Sequence, residues 1–153
     1  MSESTQALIT TTRVVLPAND EFVVGDRVAL GRRYGDLTVT YVGPNFLRIF
    51  GQVRVPARPE RAVGVHMLRR WAADADVAPL VGDAGDLADL FALLELGAAG
   101  PGEFDGESNT VYSEADGKRW TPHFYTRGQR LGFGALPFGD AVGWEPGDIF
   151  VGS

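Results

Sequence analysis

The stretch KRWTPHFYTRGQRLGFGAL, residues 118–136, decides how the chain is read. Side chains two apart on a strand share a face, so Trp120 and Phe124 point one way and Thr121, His123 and Tyr125 the other, with Arg127 at the rim. Arg127-Gly128-Gln129 turns the chain into a second strand, Arg130 to Leu136, where Leu131 and Phe133 alternate with Gly132 and Gly134. The two glycines read as positions that face aromatic neighbours across a sheet. Upstream, Ala115-Asp116-Gly117 carries a hairpin signal and links the stretch to a strand over Thr110–Ser113. Downstream, Glu145-Pro146-Gly147-Asp148 turns into a last strand, Ile149–Val151.

The first third of the chain also reads as strands. Arg13–Leu16, Phe22–Val24 and Arg27–Leu30 are separated by turn-like residues 17–20 and 25–26, and Leu37, Val39 and Tyr41 alternate with Thr38 and Thr40. Leu47, Ile49, Val53 and Val55 fall on one parity around Gly51 and favour a long or kinked strand. The competing reading is a helical turn from Asn45 to Gly51, which would join Phe46, Ile49 and Phe50. Two helices fill the middle. Pro59 opens the first, with Val63, Met67 and Trp71 as its apolar stripe, widened by Leu68. The second spans residues 83–96, buries Leu87, Leu90, Phe91 and Leu94, carries Asp86 and Asp89 in its first turns and stops at Gly97.

The expected fold is therefore α+β: a β-rich single domain over residues 13–153, with a mainly antiparallel sheet or partial barrel. Strands fill 13–56, two helices 59–97, and strands and hairpins 109–152. Residues 1–12, polar with three consecutive Thr, are expected to form a flexible arm, an edge strand being the alternative. The length of 153 residues suits one domain, and 20 Gly with 9 Pro supply the punctuation that short strands need.

Composition excludes some chemistries. With no cysteine there is no disulfide scaffold, thiolate zinc site or cysteine nucleophile. The net charge of −6 is unevenly spread: residues 1–73 carry ten Arg against six acids, and residues 74–117 carry eleven acids and no base. The start, MSESTQ, lacks a basic and an apolar region, and no apolar run is long enough to span a bilayer. The expectation is a protein without signal peptide or membrane partner, cytoplasmic or held within a macromolecular assembly.

Nucleotide and metal motifs fail. The single lysine, Lys118, follows Asp116-Gly117 in a hairpin and does not complete a phosphate loop, and Gly132-Phe133-Gly134 lacks the third glycine of a dinucleotide fingerprint. His66 and His123 have no ligand partner at short spacing. Asp105, Glu107, Asn109, Ser113 and Asp116 resemble a calcium loop in spacing, but Thr110 stands where glycine is required. No cofactor is called for. Phe46, Arg48, Phe50, Gln52 and Arg54 interleave rings and cations on one strand face, yet the acidic band disfavours a nucleic acid partner.

Two functional expectations follow. The leading one is a non-catalytic interaction or assembly module, such as a component of a phage virion or secretion apparatus, partnered by another protein or by copies of itself. It would dock through a basic and aromatic face (Phe46, Arg48, Phe50, Arg54, Arg58) and an acidic face (Asp74, Asp76, Asp86, Asp89). The alternative is a small-ligand-binding or hydrolytic domain using Trp120, His123, Tyr125 and Arg127, with Asp105 or Glu107 orienting the histidine.

Overall fold

The hairpin over residues 118–137 is the spine of a large open sheet. A computed structural model describes residues 8–81, 86–99, 108–140 and 143–152. In chain order its strands are β1 (Ile9–Leu16), β2 (Phe22–Val23), β3 (Arg33–Tyr34), β4 (Leu37–Val42), β5 (Arg54–Val55), β6 (Arg61–Leu68), β7 (Ser108–Thr110), β8 (Ser113–Ala115), β9 (Lys118–Arg127), β10 (Arg130–Pro137) and β11 (Ile149–Gly152). The helices are α1 (Val24–Arg27), α2 (Pro44–Phe50), α3 (Asp74–Val77), continued by a 3-10 turn over Ala78–Leu80, and α4 (Leu87–Ala99). The sheet runs β1-β6-β11-β7-β9-β10-β4-β3, with β8 paired to β9 off this path, and β2 pairs with β5 separately. Its ladders are antiparallel except β11/β7 and β10/β4, which are parallel.

The β-rich class is as expected, whereas the finer expectation is corrected. The sheet is mixed, it does not close into a barrel, and the described residues hold four α-helices where two were expected. The helix expected from Pro59 is instead β6, an inner strand between β1 and β11. A spacing of four residues satisfies a strand as well as a helix, and β-branched Val63 and Val65 around Gly64 favour the strand. The strand expected over 46–50 is instead α2. Gly43 is its N-cap and Pro44 its first residue, Gly51 its C-cap, and Phe46 and Phe50 one turn apart are both buried. Arg27–Leu30 is likewise no strand: Arg27 ends α1 and a turn follows. Of the expected arm, Ile9–Thr12 belong to β1, which pairs with β6 at the sheet edge, Leu8 precedes it, and residues 1–7 lie outside the described residues.

Alternation along the strands gives each face its own core. One face packs on α4 and α2: Trp120, Phe124, Leu131 and Phe133 meet Leu90, Phe91 and Leu94, and Phe133 lies 5.4 Å from Phe46 and 5.6 Å from Phe91, ring centre to ring centre. Ala88, Ala92 and Leu93 are buried too, so α4 is covered on more sides than the expected stripe. The other face carries a smaller cluster of Leu68, Val77, Val81, Tyr112, Trp144 and Phe150. That cluster leaves the outer side of β9, β10 and β4 open. No helix among the described residues is long and apolar enough to cross a membrane.

Candidate functional site

The open side of the sheet holds a groove built by the central hairpin. Asp116 at φ 54° and Gly117 at φ 72° form the tight turn into β9, and Gly128 at φ 58° the turn into β10. These turns set the register in which Tyr125 opposes Gly132 and His123 opposes Gly134. A methyl group on Gly132 would fall 2.4 Å from the Tyr125 ring, and one on Gly134 2.8 Å from His123 Nε2. Both rings therefore lie directly on glycine backbone. Trp71 stands beside them against Gly143, more loosely, since an added methyl there would sit 3.4 Å from the indole, an ordinary contact distance. A backbone bridge between Ala72 and Trp144 brings these two segments together.

Two cavities share His123 and Tyr125. The larger, about 510 Å³, is lined also by Trp71, Ser108, Arg127, Glu145 and Asp148. The smaller, about 350 Å³, reaches Tyr41, Asn45 and the β10 backbone at Gly134 and is the more apolar. Trp71 is 63% exposed and Tyr41 51%, so both side chains are accessible from solvent.

The polar groups are fixed by neighbours. His123 Nδ1 lies 2.9 Å from the Thr121 carbonyl oxygen, which only accepts, so Nδ1 carries the proton and Nε2 keeps its lone pair in the neutral ring. Burial lowers the His123 pKa below the ordinary 6.5, outweighing the Thr121 carbonyl and the Asp148 carboxylate, which both favour the cation. Asp148 accepts hydrogen bonds from the Ser108 N–H at 3.2 Å and the Glu145 N–H at 2.8 Å. Burial nonetheless pushes its carboxyl above the usual 3.8. Asp148 thus ties the loop before β11 to the start of β7.

The expected residues divide. His123, Tyr125 and Arg127 come together in the groove. Trp120 lies on the opposite, buried face, where its Nε1–H donates to the Ala115 carbonyl. Asp105 and Glu107 lie outside the described residues. Of the expected docking faces, Phe46, Phe50, Asp74 and Asp89 are buried and leave no surface there. Asp74 accepts from the Tyr112 hydroxyl, the Trp144 indole N–H and the Gly139 N–H. Arg58 pairs with Asp86 and Arg61 with Asp89, so these two cations of the basic stretch meet acids of the acidic one within the fold. Arg48 and Arg54 are exposed, the one bonded to Asn45 and the other to Glu21, and Asp76 is exposed. The calcium-like spacing dissolves as well, because Asn109 is buried in β7, Ser113 begins β8 and Asp116 forms a hairpin turn. Among the described residues no cluster of three or more His, Asp or Glu could hold a metal.

Trp71, Tyr41, Ser108, Glu145 and Asp148 were not expected at this site. Counting back through the Gly128 turn pairs 125 with 132 and 123 with 134, so the glycine-backed rings of the hairpin are legible locally. Trp71 on Gly143 is a contact between distant segments and carries no local signal. No known protein family, curated protein or solved structure matches the chain.

Proposed function

We propose that the protein is a non-catalytic binding module whose recognition surface is the groove over β9 and β10. The observation that carries this reading is the set of three aromatic rings lining one cavity, His123 and Tyr125 laid on glycines and Trp71 beside Gly143. A ring backed by glycine is held flat and loses little freedom when its other face is covered, which favours binding. Binding is preferred to catalysis because the His123 Nδ1–H bonds a backbone carbonyl and not a carboxylate, and the Asp148 oxygens accept from backbone N–H groups, so these two side chains do not form an acid–base pair. The test is a nitrogen-edited NMR titration with a mixed panel of neutral glycans, proline-rich peptides and organic cations. Shifts confined to β9, β10 and the segment around Trp71 are expected for at least one class. Silence across the panel would remove the reading.

A second reading, self-association, is favoured by β1. Among the described residues β1 pairs on one side only, with β6, and Val15 stands 56% exposed on it. Light scattering should then give a dimer that Val15→Lys converts to monomer; a concentration-independent monomer would discard it.

A further inference from the structure

We infer that the groove takes a neutral oligosaccharide, its sugar rings stacked on Trp71, Tyr125 and Tyr41; this rests on the binding reading above. Three features select that chemistry. The first is the line of rings: Trp71 faces one cavity, Tyr41 the other, and Tyr125 both. Across the sheet Tyr41 and Tyr125 flank Gly132, two strand spacings or about 10 Å apart. A single small ring cannot touch all three platforms, whereas a chain of rings with apolar C–H faces can. The second is the charge. Arg127 and Glu145 are both exposed at the same cavity, and Asp148 there is buried with its oxygens on the Ser108 and Glu145 N–H groups, so a polyanion meets a carboxylate and a cation meets a guanidinium. An uncharged ligand meets neither penalty, and adjacent hydroxyls suit both planar groups, as donors to Glu145 and acceptors from Arg127.

The third is His123, which lines both cavities and whose Nε2 is an acceptor in the neutral ring. A proline-rich segment also stacks on aromatic grooves, but proline has no N–H and offers mainly carbonyl acceptors. A hydroxyl-bearing chain supplies the donor.

Trp71 reports on the site directly, since Trp120 and Trp144 are each only 5% exposed. The experiment uses the full chain and hexasaccharides of glucose, mannose, galactose and N-acetylglucosamine in α and β linkages, followed by Trp emission and then calorimetry. At least one is expected to saturate with a blue shift. Trp71→Ala and Tyr125→Ala should each weaken its affinity about tenfold in calorimetry, with circular dichroism unchanged. Gly132→Leu, which fills the seat of Tyr125, should do the same while leaving all three tryptophans in place. If every hexasaccharide is silent while a proline-rich peptide or organic cation shifts the groove resonances, the oligosaccharide inference fails and the binding reading survives. If those are silent too, both fail. Saturation that is indifferent to Trp71→Ala and Tyr125→Ala also overturns the inference.

Discussion

Asp74 shows how much of the acidic stretch is structural. Its carboxylate receives three donors, from Tyr112 at 2.9 Å, Trp144 at 2.7 Å and Gly139 at 2.8 Å, and it is almost wholly buried. Beside it the Tyr112 hydroxyl is driven well above its ordinary range by burial and then by Asp74 itself, so it stays a donor at any physiological pH. Asp74→Ala orphans three donors, and urea unfolding should show a loss of about 3 kcal/mol or more, against about 1 kcal/mol for Tyr112→Phe. The glycines separate by what a methyl would strike. At Gly132 it meets the tip of a side chain that can swing away, so Gly132→Ala should cost about 1 kcal/mol or less while displacing Tyr125. At Gly25 it would lie 2.7 Å from the Gly51 carbonyl oxygen, which cannot move without parting α1 from α2, and Gly25→Ala should cost about 1–3 kcal/mol. Thermal or urea denaturation of the two variants checks the order.

The N-terminus of α4 ties charge to packing. Asp86 and Asp89 cap it reciprocally, each carboxylate accepting the other's backbone N–H at 3.1 Å. Arg61 reaches Asp89 at 2.7 Å with both side chains largely buried, whereas Arg54 and Glu21 pair in the open. Arg61→Ala strands a buried carboxylate and should lose about 3 kcal/mol, while Arg54→Ala should change stability by less than about 0.5 kcal/mol. A double-mutant cycle on each pair measures this. What could be read beforehand follows the range of the interactions. The β9–β10 hairpin and α4 are set by neighbours within a few residues, and both were legible, although α4 runs through the expected stop at Gly97 to Ala99. β6 was not, because Val63, Met67 and Trp71 satisfy both periods and only pairing with β1 and β11 decides between them. α2 stood only as the alternative to a strand, because Leu47, Ile49, Val53 and Val55 share one parity and satisfy a strand as well as Phe46, Ile49 and Phe50 satisfy a helical turn. The groove was half legible: its hairpin rings could be found by counting, and Trp71 and Tyr41 arrive from segments that only the sheet brings near.

Over the whole molecule, His123 couples stability to pH. Its folded-state pKa lies below 6.5, so between that value and 6.5 the unfolded chain binds more protons than the folded one. The His123 contribution should be constant above about pH 6.5 and be lost as the pH drops through that window; His123→Gln should remove this part of the slope in urea titrations. Asp148 acts in the opposite sense at lower pH. Its folded pKa is raised above 3.8, so its contribution favours the folded state as the carboxyl takes up its proton and fades as the pH rises through that shifted value. The parallel β4/β10 pair bears on a different matter, the order in which the molecule comes together. It joins Thr38 to Arg130 across most of the chain, whereas β9 and β10 are neighbours through one turn. Closing so long a loop is slow compared with forming a hairpin. During refolding Tyr125 should reach its glycine seat early and Tyr41 should arrive last, so a nascent chain carries one wall of the groove before it has the other.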